Sequence, residues 1–409
     1  MLDCGTGSIV AGRKKYERMP LGVCSVAHSV RPMRDAWRKA AIRTGMESPT
    51  AVRQQRQIEG ESYSSSILSS HAEIQCLKPL VKPLLAQNDV LLDSEFFLSS
   101  VSKGWKPRVV TVHKRSELAG VVYTKERTIF GCRLGVVYAD LSWGSILFGD
   151  PFHQPNVFRI ALETLLAFPG IRGLRLRVLR GSPELAGVRN LIASKRFDVH
   201  FSRVREHACL SLPDTYEQLL LGFGSTTRHN FRYYRRRFEV AGHIYLERLS
   251  LDELISAALF LEPRCRIASK SHSITRVLNM VAAADQPMAV GLKHRNGEWL
   301  SVIAGVYRPQ AGVLLLQLNN DRKFSCDSLS VVLRGYLIET LIRQGMRELV
   351  IWAGTGPPLS RYVRRIPTLG IHLDLPGYQW RLARRFVTTL GPWLPKRFRE
   401  DAGWIAPIQ

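Results

Sequence analysis

An arginine-rich stretch at residues 225–242, STTRHNFRYYRRRFEVAG, holds the densest chemistry in the sequence. At about 100° per residue, a helix gathers four basic side chains in one arc beside Glu239: Arg228, Arg232, Arg235 and Arg236. The opposite side carries Phe231, Tyr234, Phe238 and Ala241. Guanidinium groups bind phosphates and carboxylates bidentately. The stretch predicts an anchored helix whose basic face clamps an anionic ligand, or is only solvated, with Arg235 paired to Glu239.

The expected ends of this helix follow from its flanking residues. Ser225, Thr226 or Thr227 is a suitable N-cap, and Gly242 suits the C-terminal stop. Neither a second helix-turn-helix element nor a zinc spacing accompanies it, so we expect no DNA recognition.

A second candidate site lies in residues 312–345, where a buried strand, GVLLLQL, enters a polar loop and then a helix ending at Gly345. Asp327 or Ser328 is the expected N-cap, and Arg322 and Lys323 add positive charge. Free N–H groups at a helix N-terminus can bind a phosphate. The alternative is an ordinary capped connection, because the loop lacks the glycines of a P-loop.

The seven cysteines are too widely spaced for a zinc motif, so we expect no metal site: Cys4, Cys24, Cys76, Cys132, Cys209, Cys265 and Cys326. Their odd number and scatter predict reduced thiols in a cytoplasm. Cys326 lies in the candidate loop, but no histidine is near it in sequence to activate it as a nucleophile.

Charge sets the class of partner. Lys and Arg number 58 against 34 Asp and Glu, which gives a formal net charge of +24. Such an excess attracts RNA, DNA, anionic lipid surfaces and phosphate-bearing ligands such as coenzyme A, without choosing among them. No apolar run is long enough to span a membrane, and no secretory signal is evident.

The chain has a repeated order of elements. Residues 1–70 predict a disordered basic tail, and 386–409 a basic and aromatic C-terminal tail. Strand and helix patterns recur in 90–215 and again in 216–385, where 287–319 predicts a three-strand meander. We therefore predict an α/β (α+β) protein of two halves, each a mixed, mostly antiparallel sheet flanked by helices.

Several motifs in this order resemble the GNAT acyltransferase superfamily: RHNFRYYRRRFEVAG, strands around VIAGVY and LLLQLNND, a helix closed by RQG, and a final VIWAGTG strand. The sequence is most similar to the branch of CelD-type cellulose-biosynthesis acetyltransferases, and more distantly to FemAB-type aminoacyltransferases. The likeness covers about residues 90–375 and is best over 210–362. It implies two GNAT-like halves in one chain.

The resemblance also implies a donor site. It places acyl-coenzyme A against splayed strands of the second half, with its pyrophosphate at the loop Phe324, Ser325, Cys326, Asp327, Ser328 and Leu329, beside Arg322 and Lys323. Basic family positions match Arg228, Arg232 and Arg235, which with Asn319 are expected to bind substrate. Asp321 matches a frequent family aspartate and is a catalytic candidate.

The sequence departs from the family after the last motif. Trp352, Ala353, Gly354, Gly356 and Ser360-Arg361 stand where the family often has an aspartate, glycines and a Tyr-Lys pair. Tyr362 is the nearest phenol that could protonate a leaving thiolate, so it is the second catalytic candidate.

These observations predict an N-acyltransferase that uses acetyl-CoA or another acyl-CoA, without a metal. The expected acceptor is an amine on a small molecule or glycan precursor, in cell-envelope or polysaccharide metabolism. Two alternatives stay open: an aminoacyl-tRNA-dependent transferase, and a non-catalytic polyanion-binding protein. The predicted location is the cytoplasm, with peripheral association with an anionic membrane at its inner face as a further option.

Overall fold

Two mixed β-sheets flanked by helices organise the chain in this computed structural model. The structure describes residues 54–377, together with residues 385 and 389, apart from these internal gaps: 59–60, 83–89, 130–131, 143–145, 194–196, 203, 205, 267–270, 325–326 and 353. Residues 1–53 and nearly all of the predicted C-terminal tail, 386–409, lie outside the described residues.

The first sheet has nine strands: β1 Gln54–Ile58, β2 Glu61–Leu68, β3 Trp105–Lys114, β4 Glu117–Ile129, β5 Cys132–Leu141, β6 Ile146–Leu147, β7 Gly173–Leu179, β8 Asp198–Ser202 and β16 Thr368–Asp374. Their order is β1-β2-β3-β4-β5-β7-β16-β8, and β6 pairs with β4. Only β5 and β7 pair in parallel within this sheet. A mixed, mostly antiparallel sheet is therefore confirmed.

The second sheet has seven strands: β9 Ala208–Ser211, β10 Ile244–Leu246, β11 Pro287–Lys293, β12 Trp299–Arg308, β13 Ala311–Asn319, β14 Glu348–Ile351 and β15 Arg364–Arg365. Their order is β10-β11-β12-β13-β14-β9-β15. The predicted meander is confirmed as β11 to β13, with turns at Gly297 (φ 89°) and Gln310 (φ 59°).

Ten α-helices connect and cover these strands in the described part of the chain: α1 His71–Gln75, α2 Lys78–Val81, α3 Ser94–Ser99, α4 Gln154–Ala167, α5 Pro183–Ala193, α6 Tyr216–Gly222, α7 Ser225–Val240, α8 Leu251–Leu261, α9 Ser271–Ala283 and α10 Leu329–Arg343. Short 3₁₀ turns occupy Val90–Leu92, Glu262–Arg264 and Leu359–Arg361. Of the helices described, none has the length and apolarity needed to cross a bilayer.

The tail prediction fails between residues 54 and 70. Strand β2 pairs with both β1 and β3, and its alternate residues Tyr63, Ser65 and Ile67 are buried. Serine conceals the alternation in the sequence, because a hydroxyl can be buried once it has a partner. Ser65 finds one across the fold, 2.7 Å from Thr164 Oγ1 on α4.

The two halves exchange strands. Strand β16, from the end of the chain, lies between β7 and β8 in the first sheet, while β9 lies between β14 and β15 in the second. A buried ion pair, Arg175 Nη1 to Asp374 Oδ1 at 2.8 Å, joins β7 to β16. The predicted boundary between residues 215 and 216 therefore does not separate the two sheets.

Helices cover the second sheet on both faces. Leu333, Leu337 and Leu341, four residues apart on α10, are completely buried on one face against the sheet and α7. Helices α8 and α9 pack on the other face. Each fully buried leucine contributes roughly 1.5–3 kcal/mol. This packing holds β13 and β14 in position at the candidate site.

Candidate functional site

Strands β13 and β14 form a cleft because they pair over only part of their length. They run parallel from Ala311 opposite Glu348 to Leu314 opposite Ile351. Strand β13 then continues to Asn319. A β-bulge lies where the strands part, since Leu314 pairs with Gly305 and Leu316 with Ala304, leaving Leu315 unpaired with β12. Bulges of this kind re-aim side chains next to binding sites.

The α10 face of the cleft carries a chain of polar contacts. Ser301 donates to Asn319 Oδ1 at 2.7 Å, and the Gln317 amide also donates to that oxygen at 3.4 Å. The Arg334 guanidinium donates to Gln317 Oε1 at 2.7 Å and to Thr355 Oγ1 at 2.8 Å. Arg334 therefore bridges β13 and the segment after β14. Asn319, a predicted substrate-binding residue, belongs to this chain.

Arg334 was missed by the sequence analysis. Among the described residues, no carboxylate lies within ion-pairing distance of its guanidinium, and burial lowers its pKa to about 10. A buried cation with only neutral partners is costly unless an anion or a developing negative charge meets it. Its signal in the sequence was an arginine inside the largely apolar helix SVVLRGYLIETLI.

The first turn of α10 borders a cavity of about 310 Å³, here named the basic cavity. Its polar lining includes Arg237, His243, His294, Arg295 and Asp327. The two imidazole rings lie 4.5 Å apart. Burial, and next the neighbouring His294, lower the pKa of His243. The predicted donor loop therefore meets a cluster of basic side chains.

The loop itself departs from the expected cap. Ser328 occupies the N-cap position with φ 44°, in the left-handed region, and its side chain makes no capping hydrogen bond. Asp327 instead pairs with Arg237 at 3.0 Å. Phe324 and Leu329 line the basic cavity. The other two predicted loop residues, Ser325 and Cys326, lie outside the described residues.

The two basic residues before the loop face solvent. Arg322 is exposed, and Lys323 Nζ pairs with Glu298 Oε2 at 2.5 Å. Lys323 thus has a carboxylate partner in the structure. Neither residue lines the basic cavity.

The arginine helix forms as predicted, but its arginines are largely paired. Helix α7 spans Ser225–Val240, with Gly224 rather than a Ser or Thr at its N-cap position, and Gly242 follows it at φ 71°. Arg232 pairs with Glu217 at 2.6 Å. Arg235 pairs with Glu239 and Glu339, at 3.0 and 2.6 Å.

Arg235 is also held by packing. Its guanidinium lies 4.4 Å from the centre of the Tyr336 ring, a cation–π contact. Arg228 is partly buried and makes no ion pair with any residue that the structure describes. Of the three predicted ligand-binding arginines, Arg232 and Arg235 are paired with glutamates, and Arg228 has no carboxylate partner among the described residues.

The two catalytic candidates, Tyr362 and Asp321, belong to separate sets of hydrogen bonds. Tyr362 Oη accepts the Gly224 N–H at 2.9 Å and lies 3.3 Å from the Thr227 hydroxyl. Hydrogen bonds to the phenolate, from Thr227 first and Gly224 next, lower the pKa of Tyr362. Asp321 accepts the Arg266 N–H at 3.0 Å and the Cys265 thiol at 3.7 Å, so it anchors the chain after α8. Neither residue lines a cavity described here.

The opposite face of the cleft opens into a cavity of about 340 Å³ between the halves, here named the interhalf cavity. Leu315, at the bulge, and Trp352, after β14, line it where the two strands part. Its polar lining consists of Ser100 after α3, Tyr123 and Lys125 on β4, Tyr138 and Asp140 on β5, Arg177 on β7 and Arg276 on α9. Both halves thus build one site.

A hydrogen-bonded chain leads from this cavity into the protein. Asp140 accepts hydrogen bonds from Tyr138 Oη at 3.3 Å and from the Ser142 N–H at 3.2 Å. The Ser142 hydroxyl donates to Asp140 Oδ1 and lies 2.9 Å from His207 Nε2. If Ser142 donates to Asp140, the neutral His207 ring must carry its proton on Nε2.

His207 is held in its neutral form. Its side chain is completely buried and lies edge-on to Trp352, with ring centres 4.9 Å apart. Burial, and next the Arg177 charge, lower the pKa of His207 to about 4. At neutral pH it therefore keeps Ser142 and Asp140 oriented without adding a positive charge.

None of the interhalf cavity's polar residues was predicted. A signal was present, because Tyr123 and Lys125, and likewise Tyr138 and Asp140, are two residues apart in segments that the sequence predicts as strands. Period two places each pair on one face of its strand. Lys125 is directly opposite Tyr138 in the β4–β5 register. The sequence could not show that α9 of the second half covers this face.

The fold is similar to that of solved proteins. FemX matches with a TM-score of 0.53 and 12% identity, over 78% of this chain and 96% of FemX. A tandem GNAT protein from the clavulanic acid biosynthesis pathway matches with a TM-score of 0.46 and 11% identity, over 77% of this chain and 99% of that one. No protein-family model matches the sequence, and no curated protein matches it significantly.

The similarity to FemX extends over most of both chains and concerns the fold. The chain is an α/β protein of two halves, each a mixed sheet flanked by helices, with a fold similar to that of FemX. Across the described ranges, no group of three or more His, Cys, Asp or Glu side chains could hold a metal ion.

Proposed function

We propose that the protein is a GNAT-type N-acyltransferase that transfers an acyl group from acyl-coenzyme A to an amine. The observation that carries the proposal is the cleft between β13 and β14, together with a cavity on each face of the second sheet: the interhalf cavity at the cleft itself, and the basic cavity beside the first turn of α10. A donor and an acceptor can then meet at the cleft from opposite sides. Such positioning supplies much of the catalysis in a direct transfer.

The donor side is the face that carries α10. The basic cavity beside its first turn offers Arg237, His243, His294 and Arg295 to phosphate groups. The acyl end would lie where the strands part, near Arg334. The Arg334 cation, and the Leu315 N–H that the bulge leaves unpaired with β12, are suited to stabilise negative charge on the reacting carbonyl oxygen.

The acceptor side is the interhalf cavity. We assign Asp140 as the group that accepts the proton from the attacking amine, because it is the carboxylate lining this cavity and Ser142 and His207 orient it. The amine nitrogen bonds to the carbonyl carbon, its proton passes to Asp140, and the thiolate leaves. Tyr362 as the proton donor to that thiolate, and catalysis by Asp321, stay predictions.

A second donor class is favoured by the charge of the chain. The net charge of +24 exceeds what one coenzyme needs, and a tRNA offers many phosphates to bind it. An aminoacyl ester would react at the same cleft by the same amine attack. Membership of the CelD-type branch, a cytoplasmic location and association with an anionic membrane are further proposals that rest on the sequence.

Titration with acetyl-CoA and longer acyl-CoAs, followed by calorimetry and thermal shift, tests the main proposal. We expect micromolar affinity, about −8 kcal/mol. Ser328 has φ 44°, which glycine adopts readily and proline cannot. Ser328→Gly should therefore bind normally, whereas Ser328→Pro should lose most binding through the distorted first turn of α10.

Circular dichroism separates lost binding from lost folding in the Pro variant. If no acyl-CoA produces heat or a thermal shift in the wild-type protein, acyl-CoA is not the donor. Retention of an aminoacyl-tRNA at low salt would then support the second donor class.

A further inference from the structure

The interhalf cavity has more positive charge than its own carboxylate can neutralise. Lys125, Arg177 and Arg276 line it together with one carboxylate, Asp140. Asp140 already accepts hydrogen bonds from Tyr138 and Ser142, and Arg177 lies 3.5 Å from it. Lys125 and Arg276 therefore make no ion pair with Asp140.

Lys125 has an aromatic setting instead of an ionic one. Its ammonium lies 5.2 Å from the Trp105 ring centre and 5.7 Å from that of Tyr138. No described carboxylate lies within ion-pairing distance of it. Burial, and next the Arg276 charge, lower the pKa of Lys125 to about 8. It still carries a proton at neutral pH, at a cost that a bound anion would offset.

Arg276 and Tyr123 add unsatisfied donors to the same cavity. Arg276 Nε and Tyr123 Oη are both buried without a hydrogen-bond partner in the part of the chain that the structure describes. Arg276 makes no ion pair there either. Buried donors of this kind are normally satisfied, so a missing partner points to a bound molecule.

Several other cations of the first sheet do pair with carboxylates. Glu126, next to Lys125 on β4, pairs with Arg108 at 3.0 Å and Arg133 at 2.7 Å. Arg175 pairs with Asp374 at 2.8 Å. The shortage of carboxylates is therefore particular to the cavity rather than general to the sheet.

We infer that the interhalf cavity selects acceptor molecules in which an acidic group, a phosphate or a carboxylate, lies a few atoms from the amine. Lys125 and Arg276 bind the acidic group, and Asp140 receives the amine. The inference rests on the proposed function, because it names the acceptor class of that site. The cavity of about 340 Å³ has aromatic walls at Phe96 and Phe97, which leave room for an apolar or ring-containing body.

Thermal denaturation with inorganic phosphate tests the anion site without a donor. Phosphate is compared with chloride at equal ionic strength, in the wild type and in the double variant Lys125→Met/Arg276→Gln. We expect phosphate to raise the wild-type Tm by about 3 °C or more. The double variant should lose most of that rise, while the matched control Arg347→Gln, an exposed arginine paired with Asp214, should keep it.

Equal shifts in the wild type and the double variant would place phosphate binding elsewhere and overturn the inference, as would no shift at all. Because no acyl-CoA is present, this result is independent of whether the protein is an acyltransferase. Failure of the proposed function would appear instead as failure to bind any donor.

Matched amines test the acceptor class and its source. Phosphoethanolamine is compared with ethanolamine, glucosamine 6-phosphate with glucosamine, and vesicles with phosphatidylethanolamine with vesicles of phosphatidylcholine alone. Thermal shift or vesicle co-sedimentation should favour the acidic amine of at least one pair by about tenfold in affinity, with the preference lost in the double variant. The soluble and vesicle pairs distinguish a free metabolite from a lipid headgroup. Absence of a preference in every pair would overturn the assignment.

Discussion

The basic face of α7 and the interhalf cavity differ in how their positive charges are compensated. The α7 arginines stand out in the sequence, yet Arg232 and Arg235 pair with glutamates of α6, α7 and α10. Lys125 and Arg276 come from segments that the sequence did not single out, yet they meet in a cavity whose one carboxylate, Asp140, is paired with Arg177. Charge density along a chain therefore does not identify the cations that remain available to a ligand.

The physical reason is that a charge is available only where the fold supplies no partner. A surface arginine gains little from an exposed ion pair, about 0–1 kcal/mol, but such pairs form wherever a carboxylate is in reach. A cation in a closed cavity pays for desolvation whether or not it is paired. The unpaired cations of the cavity thus mark a site more clearly than the paired ones of the helix.

The largest expected effect is on catalysis, through Asp140→Asn. Removing the proposed proton acceptor should lower the rate of acyl transfer about 10²–10⁴-fold, with acyl-CoA binding unchanged. Steady-state assays of thiol release measure it. The control Asp214→Asn removes an exposed carboxylate and should retain full activity. Normal turnover by the Asp140 variant would move the chemistry away from the interhalf cavity.

The next effect is on stability, through Glu126→Gln. This change leaves Arg108 buried without its carboxylate, as Lys125 is now, and should cost about 3–5 kcal/mol of the free energy of unfolding. Urea denaturation measures the loss. Glu217→Gln, at an exposed pair of α6 and α7, should cost under about 1 kcal/mol. Equal losses in the free energy of unfolding would contradict the expectation that the buried ion pair stabilises the protein more than the exposed one.

His207 predicts an acid-sensitive stability. Its pKa is lowered to about 4 in the folded protein, against 6.5 for an ordinary histidine, so on acidification the unfolded chain binds the extra proton first. Stability is therefore fully present above about pH 6.5 and falls by up to about 3 kcal/mol on acidification to pH 4. Comparison with His207→Gln isolates this contribution. Parallel pH profiles for the two proteins would refute it.

Lys125→Met should stabilise the protein, by about 1–2 kcal/mol at pH 7, because desolvation outweighs the lost cation–π contacts. The folded pKa of about 8 lies below the ordinary lysine value of 10.5, so the wild type regains stability as pH rises from 8 to 10.5. The gap between the two proteins should narrow over that range. A destabilised variant would mean that Lys125 has a structural role.

The smallest effect is expected at Arg232→Ala, under about 0.5 kcal/mol, since its ion pair is exposed. Arg235→Ala should cost more, about 1–2 kcal/mol, because Arg235 also packs on Tyr336. Chemical denaturation measures both. If Arg232→Ala instead removes binding of acyl-CoA or aminoacyl-tRNA, the α7 face is the ligand clamp after all.

Much of the local structure was predictable. The helix at 225–240, its stop at Gly242, the meander of β11 to β13 and the helix ending before Gly345 follow from periodicity and turn chemistry. These signals act between residues a few positions apart, which a sequence displays directly. The same reasoning failed at β2, because Ser65, the one serine on its inward face, interrupts the apolar pattern of Tyr63 and Ile67.

The order of strand, loop and helix at the proposed donor site follows from the sequence, because these elements are consecutive in the chain. Donor binding by the loop stays a prediction, and neither Arg322 nor Lys323 lines the basic cavity beside it. The bulge at Leu315 and the bridging role of Arg334 depend on strand register and side-chain packing, which a sequence does not display. Asp321 and Tyr362 were chosen by position in a motif, and their hydrogen bonds proved to run to the chain after α8 and to the start of α7.

The sequence by itself determined the elements, the excess of positive charge and the order of two similar halves. Only the tertiary structure decided which charges are neutralised and where the halves meet. Arg235 pairs with Glu339, which is 104 residues further along the chain. Arg175 pairs with Asp374, which is 199 residues further along and lies on the exchanged strand β16. Lys125 and Arg276 are likewise brought together from separate halves. Pairing depends on distance in space, and a linear pattern of charges does not contain that distance.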